Sequence, residues 1–406
     1  MTDPADRRGF SRAAGALAGA LCLAPFIGIA GAVGLPALVG VAGAAAALSR
    51  RARGLFRTAG TARVLTGAVA LLLCWAITTN LWSATPEWEI SVQLASTTLF
   101  GALLAQGAGA GVDRDLARRA MVACTLALVL LLAMAAASDN AILRAAGADD
   151  EAAILRNSGR GAAFAVMLAW GAAVCLERLY PRRRLWLLVI AGTGLISFAF
   201  DMTANAVAFG AGLVCFIAAA MAPRLMLSLG FALAAASVAL APLLYDVVVT
   251  SLGPSSEAPL TWAIRLEMWN FALDRIAERP VLGWGFGGSR AFDAPVTVQG
   301  VEVTQLLLHP HAAGLQIWLE TGGVGAGLAA LALLAGGGRA ARALAHDRLA
   351  AGAAGGTLAA AAVLAGVSYS AYQVWMWAAL ALAVAGVVAA RQTRAEAEPQ
   401  TWSGPA

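Results

Sequence analysis

The sequence predicts an all-α, polytopic membrane protein of about twelve transmembrane helices, with one large polar loop carrying an amphipathic helix between spans nine and ten. Three observations predict it. Apolar runs of roughly 20 residues, the length that crosses a bilayer, recur along the whole 406-residue chain. Only 13% of residues are charged and 60% are apolar, against about 25% charged in a soluble domain, and the mean hydropathy is +0.75. Open sheet would leave backbone groups unsatisfied in lipid, and the alternating pattern of a membrane barrel is absent.

Taken in order, the spans fall near 13–31, 33–49, 62–82, 91–110, 117–137, 160–177, 185–200, 203–222, 225–245, 312–335, 352–369 and 371–390. The first two form a tight hairpin interrupted by Pro36. Polar loops cover 138–159 and 246–311. The chain therefore divides into a nine-span unit (1–245), the large loop (246–311), a three-span unit (312–390) and a tail (391–406). The opening string DRRGFSR resembles a twin-arginine export signal, but with so many spans behind it we read it as a basic anchor for the first helix. Cys22, Cys74, Cys124, Cys175 and Cys215 all lie in apolar runs without a CxxC pair. They read as buried small hydrophobes, with no disulfide or metal cluster implied.

Every basic residue is Arg, 28 in all. Placing the N-terminus in the cytoplasm puts 21 of these 28 on the inner ends of the spans, as the positive-inside bias requires, and both termini inside. The net charge of +5 is thus explained by topology, and no nucleic-acid partner is expected. Seven arginines remain outside: Arg144, Arg156, Arg160, Arg265, Arg275, Arg279 and Arg290. Four of these fall between 261 and 290, against the bias, and an anionic ligand is one way to offset them. Charges inside the spans are scarce, with only Asp201 and Glu320 near span ends. An ion-coupled transporter would carry an ionisable group near the midplane, so this pattern weighs against one.

Within 261–279, Trp262, Leu266, Trp269, Leu273 and Ile276 recur every three or four residues and form one stripe. This predicts an interfacial helix with tryptophans at headgroup level. Arg265 stands at the edge of the stripe. Its planar fork suits a lipid-borne phosphate, while plain snorkelling to headgroups explains it equally well. Pro280 ends the helix, and Gly283, Gly285, Gly287 and Gly288 follow. That run reads as a tight turn, or else as a cradle for phosphate built from backbone N–H groups; no Gly-Lys-Ser/Thr makes it a Walker loop. His309-Pro310-His311 precedes span ten. A His there has a pKa suited to a general base, a structural pair being the alternative. A zinc site would need Asp293 or Glu302 as a third ligand.

Taken together, Arg265-x3-Trp269, then Arg279-Pro280-x2-Gly283-x-Gly285, then His309-Pro310-His311-x3-Leu315-Gln316-x3-Glu320-x-Gly322-x2-Gly325 resemble the signature of the O-antigen ligase/polymerase family, bacterial inner-membrane glycosyltransferases with one large periplasmic loop. The signature covers about 60 residues; span count and loop position extend the likeness along the chain. The resemblance implies transfer of a glycan from undecaprenyl pyrophosphate to an acceptor hydroxyl, without nucleotide or metal cofactor, in the bacterial inner membrane. Residue by residue it implies His311 as the base and Arg265 as the group that holds the pyrophosphate. Substrate contacts would come from Arg290, Arg279, His309 and Gln316. Two departures stand out. Ala312 occupies a position where the family usually has Asn, and the region FAFDMTANAVAFG, with Asp201, Thr203 and Asn205, lacks an expected Arg. Arg156 or Arg160, in the other outer loop, is the replacement expected.

The expected activity is ligation of the lipid-linked polysaccharide to lipid A-core. The nearest rival is the polymerase branch of the same family, and the rival of another class is a polysaccharide transporter. Protein-glycosylating relatives usually carry a further periplasmic C-terminal domain, and only about 16 residues follow span twelve.

Overall fold

The computed structural model describes residues 4–48, 61–108, 114–200, 202–253, 255–306 and 309–392. Each expected span coincides with a helix: α1 Pro4–Ile29, α2 Leu35–Ala47, α3 Thr61–Thr79, α4 Trp88–Ala108, α5 Arg114–Ala137, α7 Glu151–Leu179, α8 Trp186–Phe198, α9 Thr203–Met221, α10 Pro223–Ala239, α13 Ala313–Ala343, α14 Arg348–Val367 and α15 Val374–Ala390. The short α6 Ala141–Ala145, then α11 Ala241–Leu252 and α12 Leu260–Glu278, complete the helices. A two-stranded antiparallel hairpin, β1 Pro295–Val298 and β2 Val301–Thr304, was not foreseen in the sequence. Among the described residues, six helices (α3, α5, α7, α9, α13 and α14) are each long and apolar enough to cross a membrane, and a bent pair, α10 with α11, makes a seventh candidate. The protein is a multi-pass, all-α membrane protein.

α7 is the central post. Its apolar window is 83% buried, against 22% for α3 and α9, and it packs on α1, α5, α8, α9, α14 and α15. Without a hydrophobic drive between helices in lipid, close backbone approach and dense packing hold such a bundle. Trp170 of α7 is fully buried in the space left by Gly212 of α9 and Gly356 of α14, where any Cβ would collide with its ring, and it stacks on Phe209 at 5.5 Å. Around this core, α13 packs against α3, α10 and α12 and forms the flank that carries the large loop.

Several details differ from the expectation. Pro36 does not interrupt the hairpin; it stands in the first turn of α2, where a missing N–H costs nothing. Span nine bends by 78° between α10 and α11, because Pro242 in the first turn of α11 cannot donate back to α10. The helix then runs on to Leu252, into what was expected to be loop. Arg156 and Arg160 lie on α7, not in a loop, since α7 begins at Glu151 with an Asp150 cap that accepts the Ala153 N–H at 2.6 Å. Cys22, Cys74 and Cys215 face outward and only Cys124 and Cys175 are buried: a helix face turned to lipid is as apolar as one turned to the core. Trp269 of the expected stripe is buried within the protein, edge-on to Tyr245 at 4.9 Å.

Candidate active site

The last carbonyls of a helix have no partner within it. Those of α14 are taken by three side chains in succession. Gly366 O accepts from the Tyr245 hydroxyl at 2.6 Å, Val367 O from Nη1 of Arg265 at 2.6 Å, and Ser368 O from Nδ1 of His311 at 3.0 Å. α14 thereby brings α11, α12 and the segment before α13 to one point. The negative end of its dipole suits the guanidinium there.

His311 has φ +51°, a left-handed backbone that costs a non-glycine residue energy and often marks a functional position. Its own N–H donates to Nδ1 of His309 at 3.1 Å, and the two rings lie 4.4 Å apart. Pro310 O accepts from Trp269 Nε1 at 2.9 Å, fixing the segment to α12. These bonds assign the tautomers. A carbonyl only accepts, so Nδ1 of His311 carries the proton and Nε2 keeps its lone pair. Nδ1 of His309 accepts, so its proton is on Nε2. Burial, opposed by the bond to Ser368 O, lowers the pKa of His311, and the charge of Arg265 lowers it further. Burial, with His311 and Arg290 nearby, takes His309 down to about 3. Both rings are neutral at ambient pH.

Arg265 is half-buried, and desolvation lowers its pKa, though a guanidinium stays charged. Its Cζ lies 5.7 Å from the Trp262 ring. Glu267, the nearest acid in sequence, is bonded to Ser255 at 2.5 Å. Among the described residues, Arg160 of α7 makes one long hydrogen bond, to Gly31 O at 3.4 Å, and lies 5.7 Å from the Trp375 ring. Trp375 in turn packs edge-on to Tyr369 at 4.9 Å. Arg160 and Arg265 thus approach the same α14–α15 connector, 368–373, and among the described residues neither has a carboxylate partner.

The other expected residues are placed differently. Arg290, on a 3-10 turn Gly288–Ala291, pairs with Glu87 at 2.9 Å and is close enough to act on His309. Arg279 stacks on Trp284 at 4.0 Å and lines an open cleft of about 430 Å³ with Trp82 and 280–283, apart from the histidines. Gln316 is buried and both ends of its amide bond within the chain. Its Oε1 accepts from Ser370 Oγ at 2.7 Å and Ala371 N at 3.0 Å, and its Nε2 donates to Glu320 at 3.1 Å. Asn205 ties α9 to Gly159 O of α7 at 3.1 Å, whereas Asp201 lies outside the described residues. No three His, Cys, Asp or Glu side chains converge as metal ligands among the described residues.

The glycine run is neither a free cradle nor a plain turn. Gly283, Gly285 and Gly287 all have positive φ, and the segment enters a break in α13 at Gly322 (φ 65°, ψ −172°). Trp284 and Gly285 donate to Leu319 O and Glu320 O at 2.8 and 2.9 Å, while Gly323 donates to Pro280 O at 2.8 Å. The groups freed by the break are satisfied by the loop, as irregular backbone inside a membrane protein requires. The N–H of Gly287 faces not a phosphate but Oε2 of Glu320, at 2.6 Å. Tyr245, Glu87, Glu320 and the hydroxyl-rich connector Ser368-Tyr369-Ser370 were not picked out as site residues from the sequence. The connector's run of hydroxyls between two apolar spans was the available signal.

Residues 151–330 match the family model described as O-antigen ligase. The chain is 34% identical over 176 residues, 41% of its length and 42% of the relative's, to a protein of Rickettsia conorii named "Putative polysaccharide ligase". A protein of the same name in Rickettsia prowazekii is 32% identical over 179 residues, 42% of this chain and 43% of its own. The matched part thus spans less than half the length of these curated relatives. No solved structure is significantly similar.

Proposed function

We propose, from the premise that this chain belongs to an O-antigen ligase-like family, that it is a membrane glycosyltransferase joining a polysaccharide carried on undecaprenyl pyrophosphate to a hydroxyl of lipid A-core. The observation that carries the reading is one juxtaposition: a neutral histidine whose Nε2 keeps its lone pair, beside a half-buried guanidinium that has no carboxylate partner among the described residues. A buried charge needs compensation, and an anionic substrate supplies it here.

The chemistry follows from those two groups. Nε2 of His311 takes the proton of the acceptor hydroxyl, whose oxygen bonds to the anomeric carbon as the bond from that carbon to the pyrophosphate oxygen breaks. The electron pair leaves with the pyrophosphate, and the remaining N–H groups of Arg265, with Arg160 beyond the connector, stabilise the charge that develops there. Arg290 joins them once it lets go of Glu87. The reaction as written needs neither nucleotide nor metal. We further propose twelve spans in the bacterial inner membrane with both termini cytoplasmic, which puts the site at the periplasmic face. The polymerase branch would use the same base and donor with a different acceptor; the ligase reading is preferred on the names of the relatives.

The test is the lipopolysaccharide pattern of a deletion strain complemented with His311→Ala. Bare core beside polymer stranded on the carrier lipid, with the variant at normal abundance and its product reduced by about 10²–10⁴, supports the ligase. Core capped with single units assigns the polymerase. Normal product from the variant removes the catalytic reading and leaves transport.

A further inference from the structure

Glu320 is fully buried and has no role in the transfer as written, and yet its carboxylate accepts hydrogen bonds from three separate groups. Oε2 accepts from Gly287 N at 2.6 Å. Oε1 accepts from Ser289 Oγ at 2.5 Å and from Nε2 of Gln316 at 3.1 Å. The Gln316 amide cannot flip, because its oxygen already receives Ser370 Oγ–H and Ala371 N–H. Its Nε2 therefore must donate, and Glu320 must accept. Two arms of the site meet on this pair. One arm is the turn Gly287–Ser289–Arg290. The other is the connector whose Ser368 O aims the ring of His311.

We infer that Glu320 and Gln316 form a positioning pair, one that sets the connector behind His311 and the turn beneath Arg290 in register with each other. The inference rests on the transferase reading of His311. Neither side chain touches substrate; their effect is transmitted through Ser370 and Ala371 to the carbonyl that orients the base, and through Ser289 to Arg290. Outer partners of this kind typically contribute about 10–100-fold to activity when they orient an acting group.

Glu320→Gln is nearly isosteric but replaces one acceptor by a donor, so either Gly287 N–H or the Gln316 amide faces another donor. With purified protein in detergent or vesicles, a lipid-linked glycan as donor and core as acceptor, kcat should fall by about 10–100-fold. KM for the lipid-linked donor should stay within twofold of wild type, because Arg265 and Arg160 are untouched and Arg290, held by Glu87 at rest, joins the anion only as its charge develops. Glu320→Asp, which keeps the charge, should restore part of kcat. Should Glu320→Gln lower abundance, Ser370→Ala removes one donor to Gln316 with less disruption and should show the same kcat-only loss, smaller in size. A variant whose output falls only in proportion to its abundance, or with KM and kcat changed together, overturns the positioning role. His311→Ala run alongside separates the two ideas: loss there with Glu320→Gln at wild-type kcat rejects this inference alone, whereas no loss in either rejects the transferase reading.

Discussion

The two ends of the bundle use arginine at helix C-termini in opposite ways. At the end away from the site, Arg118 is buried and bonds Ala389 O and Arg391 O, both at 3.0 Å, with Asp115 at 3.2 Å. Arg178 bonds Ala390 O at 3.3 Å and Asp347 at 2.7 Å. Each guanidinium there closes the end of α15 and has an acid as well. At the other end Arg265 closes α14 in the same manner, through Val367 O, but among the described residues no carboxylate pairs with it. On the proposed function, the same motif is a finished joint on one side and a seat for the substrate's anion on the other. What separates the two ends among the described residues is the carboxylate beside the arginine, not the arginine.

Breaking the open side should have the largest effect. Arg265→Gln removes the charge facing the leaving group and should lower kcat/KM by about 10²–10³, the usual cost of one such donor, at normal abundance. Arg160→Gln, whose bond to Gly31 O is long, should cost about tenfold, near one charge-assisted hydrogen bond. Both are read by conversion of lipid-linked glycan to capped core. Next in size is the pH profile. His311 works as a base only when neutral, and its folded pKa is depressed by burial, with Arg265 adding to the depression. Activity should therefore hold from pH 7 down through about 6.5, the ordinary histidine value, and fall only at lower pH. A fall centred above 6.5 would contradict it. The smallest effect on chemistry should come from the closed side. Arg178→Gln takes the cationic partner from Asp347, which keeps the N–H groups of Ala350 and Gln392, and should reduce membrane abundance several-fold, as a loss of a kcal/mol or two does, while activity per folded molecule stays at the wild-type value.

This contrast also marks what could be read in advance. The helices were legible because apolar length is a strong signal, and so was the loop helix, expected at 261–279 and found at Leu260–Glu278. Arg265 and His311 could be named from their resemblance to a family signature. Their partners could not, because they are the backbone carbonyls of residues 367 and 368, 102 and 57 positions away, and a carbonyl has no letter in a sequence. The sequence pattern points Gln316 toward substrate and reads the glycine run as a turn or a phosphate cradle. Spacing along the chain cannot tell that the amide turns inward to Ser370, or that Glu320 fills the N–H of Gly287 from 33 residues away. Arg279 fell within the expected pattern but stacks on Trp284 beside a separate cleft.

The row of carbonyls at the end of α14 has a consequence for how this protein can change. A side-chain ligand is lost by one substitution, but Gly366 O, Val367 O and Ser368 O survive almost any replacement at their own positions. What they do not survive is a change of phase. One residue inserted into α14 turns everything beyond it by about 100° and advances it 1.5 Å, which would carry all three acceptors away from Tyr245, Arg265 and His311 at once. α14 is therefore free to drift in composition and bound in length, an indexing rod whose count of residues matters more than their kind.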